Sequence, residues 1–237
     1  MDAKQGTTES RGDRRGGRLK NLFLELWRDK TGFIGMAMIA AFLFMAVAAP
    51  LIAPHSPTAQ DLRARLKPPA WDENGSWNHI LGTDNLGRDV LSRVIHGSRV
   101  SLMVGASVVL IAGIFGTVLG LLAGYRGGRT DNFIMRWIDT QVAFPGLLIA
   151  LIILAVIGPS MFTVILVLSF NGWMVYGRMT RGAVLSVRQT AYVEAAEVVG
   201  CSGTRVVFRH ILPNLTSPLL TLAILEFARI VLAEAAL

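Results

Sequence analysis

Charge is what this sequence has least of. Asp, Glu, Lys and Arg make up 16% of its 237 residues, against roughly 25% in an average soluble domain. With a mean hydropathy of +0.50, there is too little polar surface to wrap a core in water. The shortage is concentrated: residues 31–60, 100–125, 140–177 and 210–225 hold no Asp, Glu, Lys or Arg at all. Cysteine is almost missing too. The single Cys201 excludes a disulfide scaffold, and 52% hydrophobic residues exclude a disordered chain. What remains is an all-α, polytopic membrane protein.

A bilayer core of about 30 Å is crossed by about 20 apolar residues of helix. Residues 31–54 supply one span and 100–125 a second. Residues 140–177 are too long for one helix, so two short spans are expected, divided at Gly158-Pro159-Ser160, where proline cannot continue a helix. A fifth span follows Pro213, although Glu226, Arg229 and Glu234 interrupt it. Backbone amides must be paired inside lipid, and runs such as LIILAVIG lack the period-2 alternation of a barrel strand. The first span is read as an uncleaved anchor. Ala46-Val47-Ala48 matches a small-x-small cleavage site, but the leader and the apolar run are both too long for a signal peptide.

Residues 1–30 carry eight Lys/Arg, 126–139 three and 178–213 five. The positive-inside rule places these segments in the cytoplasm and residues 55–99 outside, despite the six Lys/Arg and five acids of that loop. The net charge of +7 then reflects orientation and anionic lipid, with no nucleic-acid partner. Residues 1–18 read as a disordered tail, and 19–27 as a short amphipathic helix on the cytoplasmic surface. Residues 85–99 place Leu86, Val90, Leu91, Val94 and Ile95 on one helical face, a helix at the outer membrane surface. The domain reading is therefore a tail over 1–30, a span over 31–54, an outer loop over 55–99 and a core over 100–237.

Inside the second span, Gly116, Gly120 and Gly124 form two overlapping GxxxG patterns. Glycine at this spacing opens a groove for a neighbouring helix. We read it as packing within the subunit; the alternative is a seam that slides. Pro145-Gly146 either kinks the third span or sits harmlessly in its first turn. Glu226 and Arg229, one turn apart, form a possible intramembrane charge pair, either neutralised against a neighbouring helix or lining a pathway.

Enzyme chemistry finds no template. HExxH, CxxC, the P-loop and GxSxG are all absent, and Gly200-Cys201-Ser202-Gly203-Thr204 misses the last by one residue. His55, His79, His96 and His210 show no spacing that suggests a metal site. No catalytic, metal-binding or cofactor-binding residue is assigned.

The most informative stretch is YVEAAEVVGCSGTRVVFRHILP, residues 192–213. Residues 188–199 read as a helix with Glu194, Ala195 and Ala196 at its centre. Ala offers a thin surface that another protein can approach, and Glu194 a charge to pair there. Gly200 is placed to end the helix in a left-handed cap. Residues 204–211 form a second short helix, which Pro213 stops. The pair makes a rigid knob; the alternative is an ordinary inter-span loop.

This stretch resembles the EAA signature of inner-membrane permease subunits of ATP-binding-cassette importers, with EAA, three residues, Gly, and then LP at its usual distance. Residues 22–57 look like the extra N-terminal span of the C-type dipeptide/oligopeptide(/nickel) permeases. Residues 79–105, HILGTDNLGRDVLSRVIHGSRVSLMVG, look like the loop and helix that follow it. The resemblance implies a type I importer permease in the bacterial inner membrane, moving di- or oligopeptides. It implies as partners a second permease subunit, two cytoplasmic ATPases that bind the ATP, and an extracytoplasmic substrate-binding protein. Glu194, Ala195, Ala196 and Gly200 would then dock the ATPase, and Pro213 would fix the knob against the last span. The alternatives are a permease for nickel, chelated metal or another small solute, and an ion-coupled secondary transporter using Glu226 and Arg229. Family members usually continue past LAEAAL into a sixth span, so the resemblance reads a chain ending at Leu237 as a fragment or truncated product.

Overall fold

A computed structural model describes residues 30–237; the expected tail over 1–18 and amphipathic helix over 19–27 lie outside the described residues. The helices are α1 (Lys30–Ile52), α2 (Val90–Arg126), α3 (Gly128–Val142), α4 (Gly146–Ile157), α5 (Met161–Arg188), α6 (Ala191–Val198), α7 (Gly203–Val206) and α8 (Leu212–Ala236), with a π-helical turn, Val207–Ile211, joining α7 to α8. Among the described residues the extended pairing is limited to one isolated bridge, Thr83 with Asp89. This is a helical, multi-pass membrane protein. Two compact units divide it, one ending at Arg99 and one running from Val100 to Leu237.

In the first unit, α1 is charge-free beyond Lys30 and leaves Met38, Phe44, Val47 and Leu51 exposed, the surface that a lipid-facing helix presents. Pro50 falls in its last turn, where the broken ladder matters little. The connection to α2 is folded around Asp84. Its carboxylate accepts from Leu86 N (2.8 Å), Arg88 N (3.0 Å) and Arg88 Nε (2.7 Å), and from the Arg93 guanidinium. Burial pushes the Asp84 carboxyl up, but the hydrogen bonds from Arg88 and Leu86 outweigh it and hold the group well below the usual carboxylate range. The surface helix expected over 85–99 begins only at Val90. It runs into α2 without a break, because residues 85–89 are consumed by the turn around Asp84.

The second unit is organised by α2 and α5. The Gly116, Gly120 and Gly124 stripe lies against Trp173, Tyr176, Gly177, Thr180 and Val184 of α5. A Cβ on Gly116 would stand 2.3 Å from the Trp173 carbonyl oxygen, and one on Gly120 2.6 Å from that of Gly177. The glycines are therefore a packing seam within the chain. Around it, Ala112, Ala123, Ile134, Ile138, Trp173 and Tyr176 form one core cluster; Val104, Val108, Leu168 and Ile230 form another.

The third expected span takes a different form. α4 has only 12 residues, about 18 Å of helix, and cannot cross a bilayer alone. It follows the amphipathic α3 after a bend of 79° at Ala143–Pro145, so Pro145 stands before the first turn of α4 and separates the two helices. Two amides, buried Gln141 and half-buried Asn171, bond across the bend. Gln141 Nε2 donates to the Phe170 carbonyl (2.6 Å) while Gln141 Oε1 accepts from Trp173 Nε1 (3.1 Å), and Asn171 Nδ2 donates to the Gly146 carbonyl (3.3 Å). The break at Gly158-Pro159-Ser160 is where the sequence placed it. Ser160 starts α5 as a side-chain cap, accepting from Thr163 N at 3.1 Å.

Among the described residues three helices, α1, α2 and α5, are long and apolar enough to cross a membrane, and the bent α3–α4 pair adds a fourth by length and composition. α8, with 25 residues, is also long enough to cross, and it carries Glu226, Arg229 and Glu234. These charges are partnered: Arg229 Nη1 donates to Glu226 Oε1 at 2.7 Å, and Ser101 Oγ to Glu234 Oε2 at 2.7 Å. Pairing of this kind lowers the cost of charge at membrane depth.

Two outcomes follow. Gly120→Ala forces a methyl against backbone and should cost about 1–3 kcal/mol. Gly182→Ala, which meets nothing within 4 Å, should be neutral or stabilising by up to about 1 kcal/mol; thermal unfolding of both variants in detergent checks the contrast. Because the Asp84 carboxyl is depressed, its contribution is present above the ordinary carboxylate range and is lost only as pH falls through its lowered folded value. Asp84→Asn should therefore speed amide exchange over residues 86–93 at neutral pH, whereas Asp72→Asn should not.

Candidate functional site

The knob is α6 with the turns on either side of it. α5 ends at Arg188, and Thr190 starts the next helix: its carbonyl accepts from Val193 N (3.0 Å) and Glu194 N (3.1 Å). One side chain roots α6. Val193 is fully buried among Leu121, Val184, Val206, Ile211 and Leu215, so the face opposite it is left outside. At the far end Gly200 N donates to Glu197 O (3.0 Å) and Cys201 N to Ala196 O (3.1 Å), the two bonds of a Schellman cap. Gly200 sits at φ +86° with open space where a Cβ would be. Glycine is required there by backbone conformation alone.

The second half of the knob differs from the expected helix-then-stop. α7 passes through the π turn directly into α8, and Pro213 lies exposed in the first turn of α8. Proline has no N–H to give the Arg209 carbonyl, and its ring crowds that oxygen. Widening by one residue relieves the clash, and Leu212 N reaches back to Val207 O. Asn214 Nδ2 bonds the His210 carbonyl (2.6 Å) and the Tyr192 hydroxyl (2.9 Å), linking the start of α8 to α6. Pro213 thus reshapes the helix without ending it.

Three residues that the sequence did not single out tie the knob to the long helices. Arg188 Nη1 donates to the Tyr125 carbonyl at 3.0 Å, and its guanidinium carbon lies 5.2 Å from the Tyr125 ring centroid. Arg188 Nε is 3.8 Å from Glu197 Oε1, which also accepts from the Tyr125 hydroxyl at 3.3 Å. The Tyr125 ring in turn packs so closely on Gly203 that a Cβ there would stand 3.0 Å from it. These contacts join α6 to the ends of α2 and α5. The signal for Tyr125 and Arg188 was weak, since each stands at the end of a long helix and far in sequence from its partner.

Of the sequence-derived residues, Glu194 and Ala195 are exposed, Ala196 is half-buried and Gly200 is exposed. Beside them Val198 and Val199 are 87% and 83% exposed, an apolar pair that nothing among the described residues covers. Glu226 is buried, and its partner Arg229 is largely exposed; the structure does not bring this pair to the knob. Among the described residues no cluster of metal-ligating side chains falls on this surface. A groove of about 800 Å³ runs between α2 and the α7–α8 segment, lined mainly by apolar side chains such as Val118, Leu122, Phe208 and Leu220, with Tyr176 at its wall. Such a lining offers little to the charged ends of a peptide.

Comparison with known proteins gives the same picture along the chain. Residues 116–237 match the family described as binding-protein-dependent transport system inner membrane component. Residues 18–69 match the N-terminal TM domain of oligopeptide transport permease C. The chain is 45% identical over 217 residues to the dipeptide transport system permease protein DppC of Escherichia coli (strain K12), covering 90% of this chain and 72% of that one. It is 39% identical over 219 residues to the di/tripeptide transport system permease protein DppC of Pseudomonas aeruginosa (strain UCBPP-PA14), covering 92% and 72%. The Haemophilus influenzae dipeptide permease DppC is 38% identical over 200 residues, covering 83% and 68%. With both segments matched in order, and relatives this similar over more than two thirds of their length, the chain belongs to the binding-protein-dependent, ATP-binding-cassette family of inner-membrane transport permeases.

Proposed function

We propose that this chain is the permease subunit of an ATP-driven importer of di- or oligopeptides in the bacterial inner membrane, with its N-terminus in the cytoplasm. A second permease subunit completes the passage, an extracytoplasmic binding protein delivers the cargo, and two cytoplasmic ATPases drive it. This subunit binds no ATP and hydrolyses nothing; its part is to convert ATPase movement into helix movement. The observation that carries the reading is α6. It is a short helix rooted by one buried valine, capped at Gly200 and presenting Glu194, Ala195, Val198 and Val199 outward. An exposed apolar pair beside a carboxylate is what a docking partner would cover. When the ATPases close, α6 moves with them, and the Tyr125–Arg188–Glu197 contacts pass the motion to α2 and α5 as a rigid-body tilt. The names of the relatives support peptides as cargo.

The double variant Glu194→Lys/Gly200→Pro should insert normally yet abolish uptake and ATPase association, since proline cannot adopt a positive φ. Normal association and uptake in that variant would sink the coupling role. In cells, deleting the gene should remove ATP-dependent uptake of labelled di- and tripeptides. Uptake that instead follows a proton or sodium gradient and ignores ATP depletion would overturn the transport class, and loss of nickel-chelate uptake alone would overturn the cargo.

A further inference from the structure

In the first unit, residues far apart in sequence meet at the start of α2. Asp89, buried, immediately precedes that helix, and its Oδ2 accepts from Ser92 N (2.8 Å) and Ser92 Oγ (2.7 Å). Its other oxygen, Oδ1, lies 2.9 Å from His79 Nδ1. Ser92 Oγ also receives the backbone N–H of His55 at 3.0 Å. That bond sets the His55 ring 4.9 Å, centroid to centroid, from the His79 ring. His55 Nδ1 then stands 4.0 Å from Asp89 Oδ2, too far for a hydrogen bond. Two imidazoles and a carboxylate thus converge, with one ligand atom from each lying within 4.8 Å of the others.

A hydrogen-bonded helix cap accounts for Asp89, Ser92 and His79. It leaves His55 unexplained, since its ring is turned to the same carboxylate without bonding it. Metal ligation accounts for His55, His79 and Asp89 together. With bonds of about 2.0–2.2 Å, tetrahedral ligand atoms lie about 3.3–3.5 Å apart; the imidazoles approach different oxygens of Asp89, His79 at 2.9 Å from Oδ1 and His55 at 4.0 Å from Oδ2, so the side chains must rotate to draw ligand atoms now within 4.8 Å of one another onto one ion. Ser92 supplies the outer contact that orients a ligating carboxylate. Two nitrogens and one oxygen suit a late first-row divalent cation over calcium or magnesium, which take oxygen ligands. The half-exposed His55 side leaves a fourth position for water.

We propose that His55, His79 and Asp89 bind one zinc ion, which clasps the segment leaving α1 and the loop around His79 to the start of α2. The site is independent of the transport role argued above. It was invisible in the sequence because its three ligands share no motif spacing and only the fold of this segment brings them together.

The test uses the full chain, purified in detergent, freed of any affinity tag and stripped with chelator, then titrated with Zn²⁺ against a chromophoric competitor. One zinc per chain is expected. His55→Gln and His79→Gln should each weaken it by more than the roughly 10–100-fold that loss of an outer-shell partner costs, while His96→Gln and His210→Gln should leave it unchanged. His55→Gln leaves the Asp89 cap intact, so its effect is separable from misfolding. Zinc should also slow proteolysis between α1 and α2 in the wild type and not in the His55→Gln/His79→Gln double variant. Absence of stoichiometric zinc, or equal binding in the double variant, would overturn the site; binding without protection would overturn the clasp.

Discussion

The contact between α2 and α5 is the constraint on which the second unit depends. Helices pack closely in lipid only where side chains are small, because no water is expelled to drive them together. Gly116, Gly120 and Gly124 remove every Cβ along one stripe of α2, and α5 sits down to backbone contact on it. That approach buries Tyr176, Thr180 and Val184 and sets where the ends of both helices emerge. Tyr125 and Arg188 lie at those ends, so the seam also decides where the knob is anchored.

Polar groups do the finer positioning. Gln141 and Asn171 are amides in an apolar surrounding, where an unpaired donor or acceptor is costly. They bond across the bend between α3 and α4, where the helical ladder is broken. Asp131 of α3 and Arg181 of α5 make a two-pronged pair, at 2.5 and 2.7 Å, which fixes α3 along α5 by direction as well as distance. The bent pair is therefore held as a defined shape.

The knob combines a rigid base with an unfilled surface. Its Schellman cap, its buried valine and the π turn imposed by Pro213 leave α6 little freedom of its own. The proposed coupling role would gain from that stiffness, since a pliant loop would absorb the movement.

Much of this was legible in the amino-acid order. The apolar runs dictated membrane helices because hydrocarbon tolerates no unpaired amide; Gly158-Pro159-Ser160 dictated a helix break, the glycine stripe a close helix contact, and Gly200 a left-handed cap. These are local effects of backbone chemistry and spacing, and they need no partner to act. Other features needed the tertiary structure. α4 is too short to span because it starts only after the bend at Pro145 and stops at Gly158, and the amide contacts that hold the bend reach residues some thirty positions on. Pro213 widens a helix where its sequence position read as a stop, because α7 and α8 are held in line by the buried Val206, Ile211 and Leu215. Tyr125 with Arg188, and His55 with His79 and Asp89, become neighbours only on folding. Periodicity and motif spacing report what the chain does over a turn or two of helix; which distant side chains meet is decided by packing, and it is packing that assembles both the anchor of the knob and the histidine–aspartate cluster.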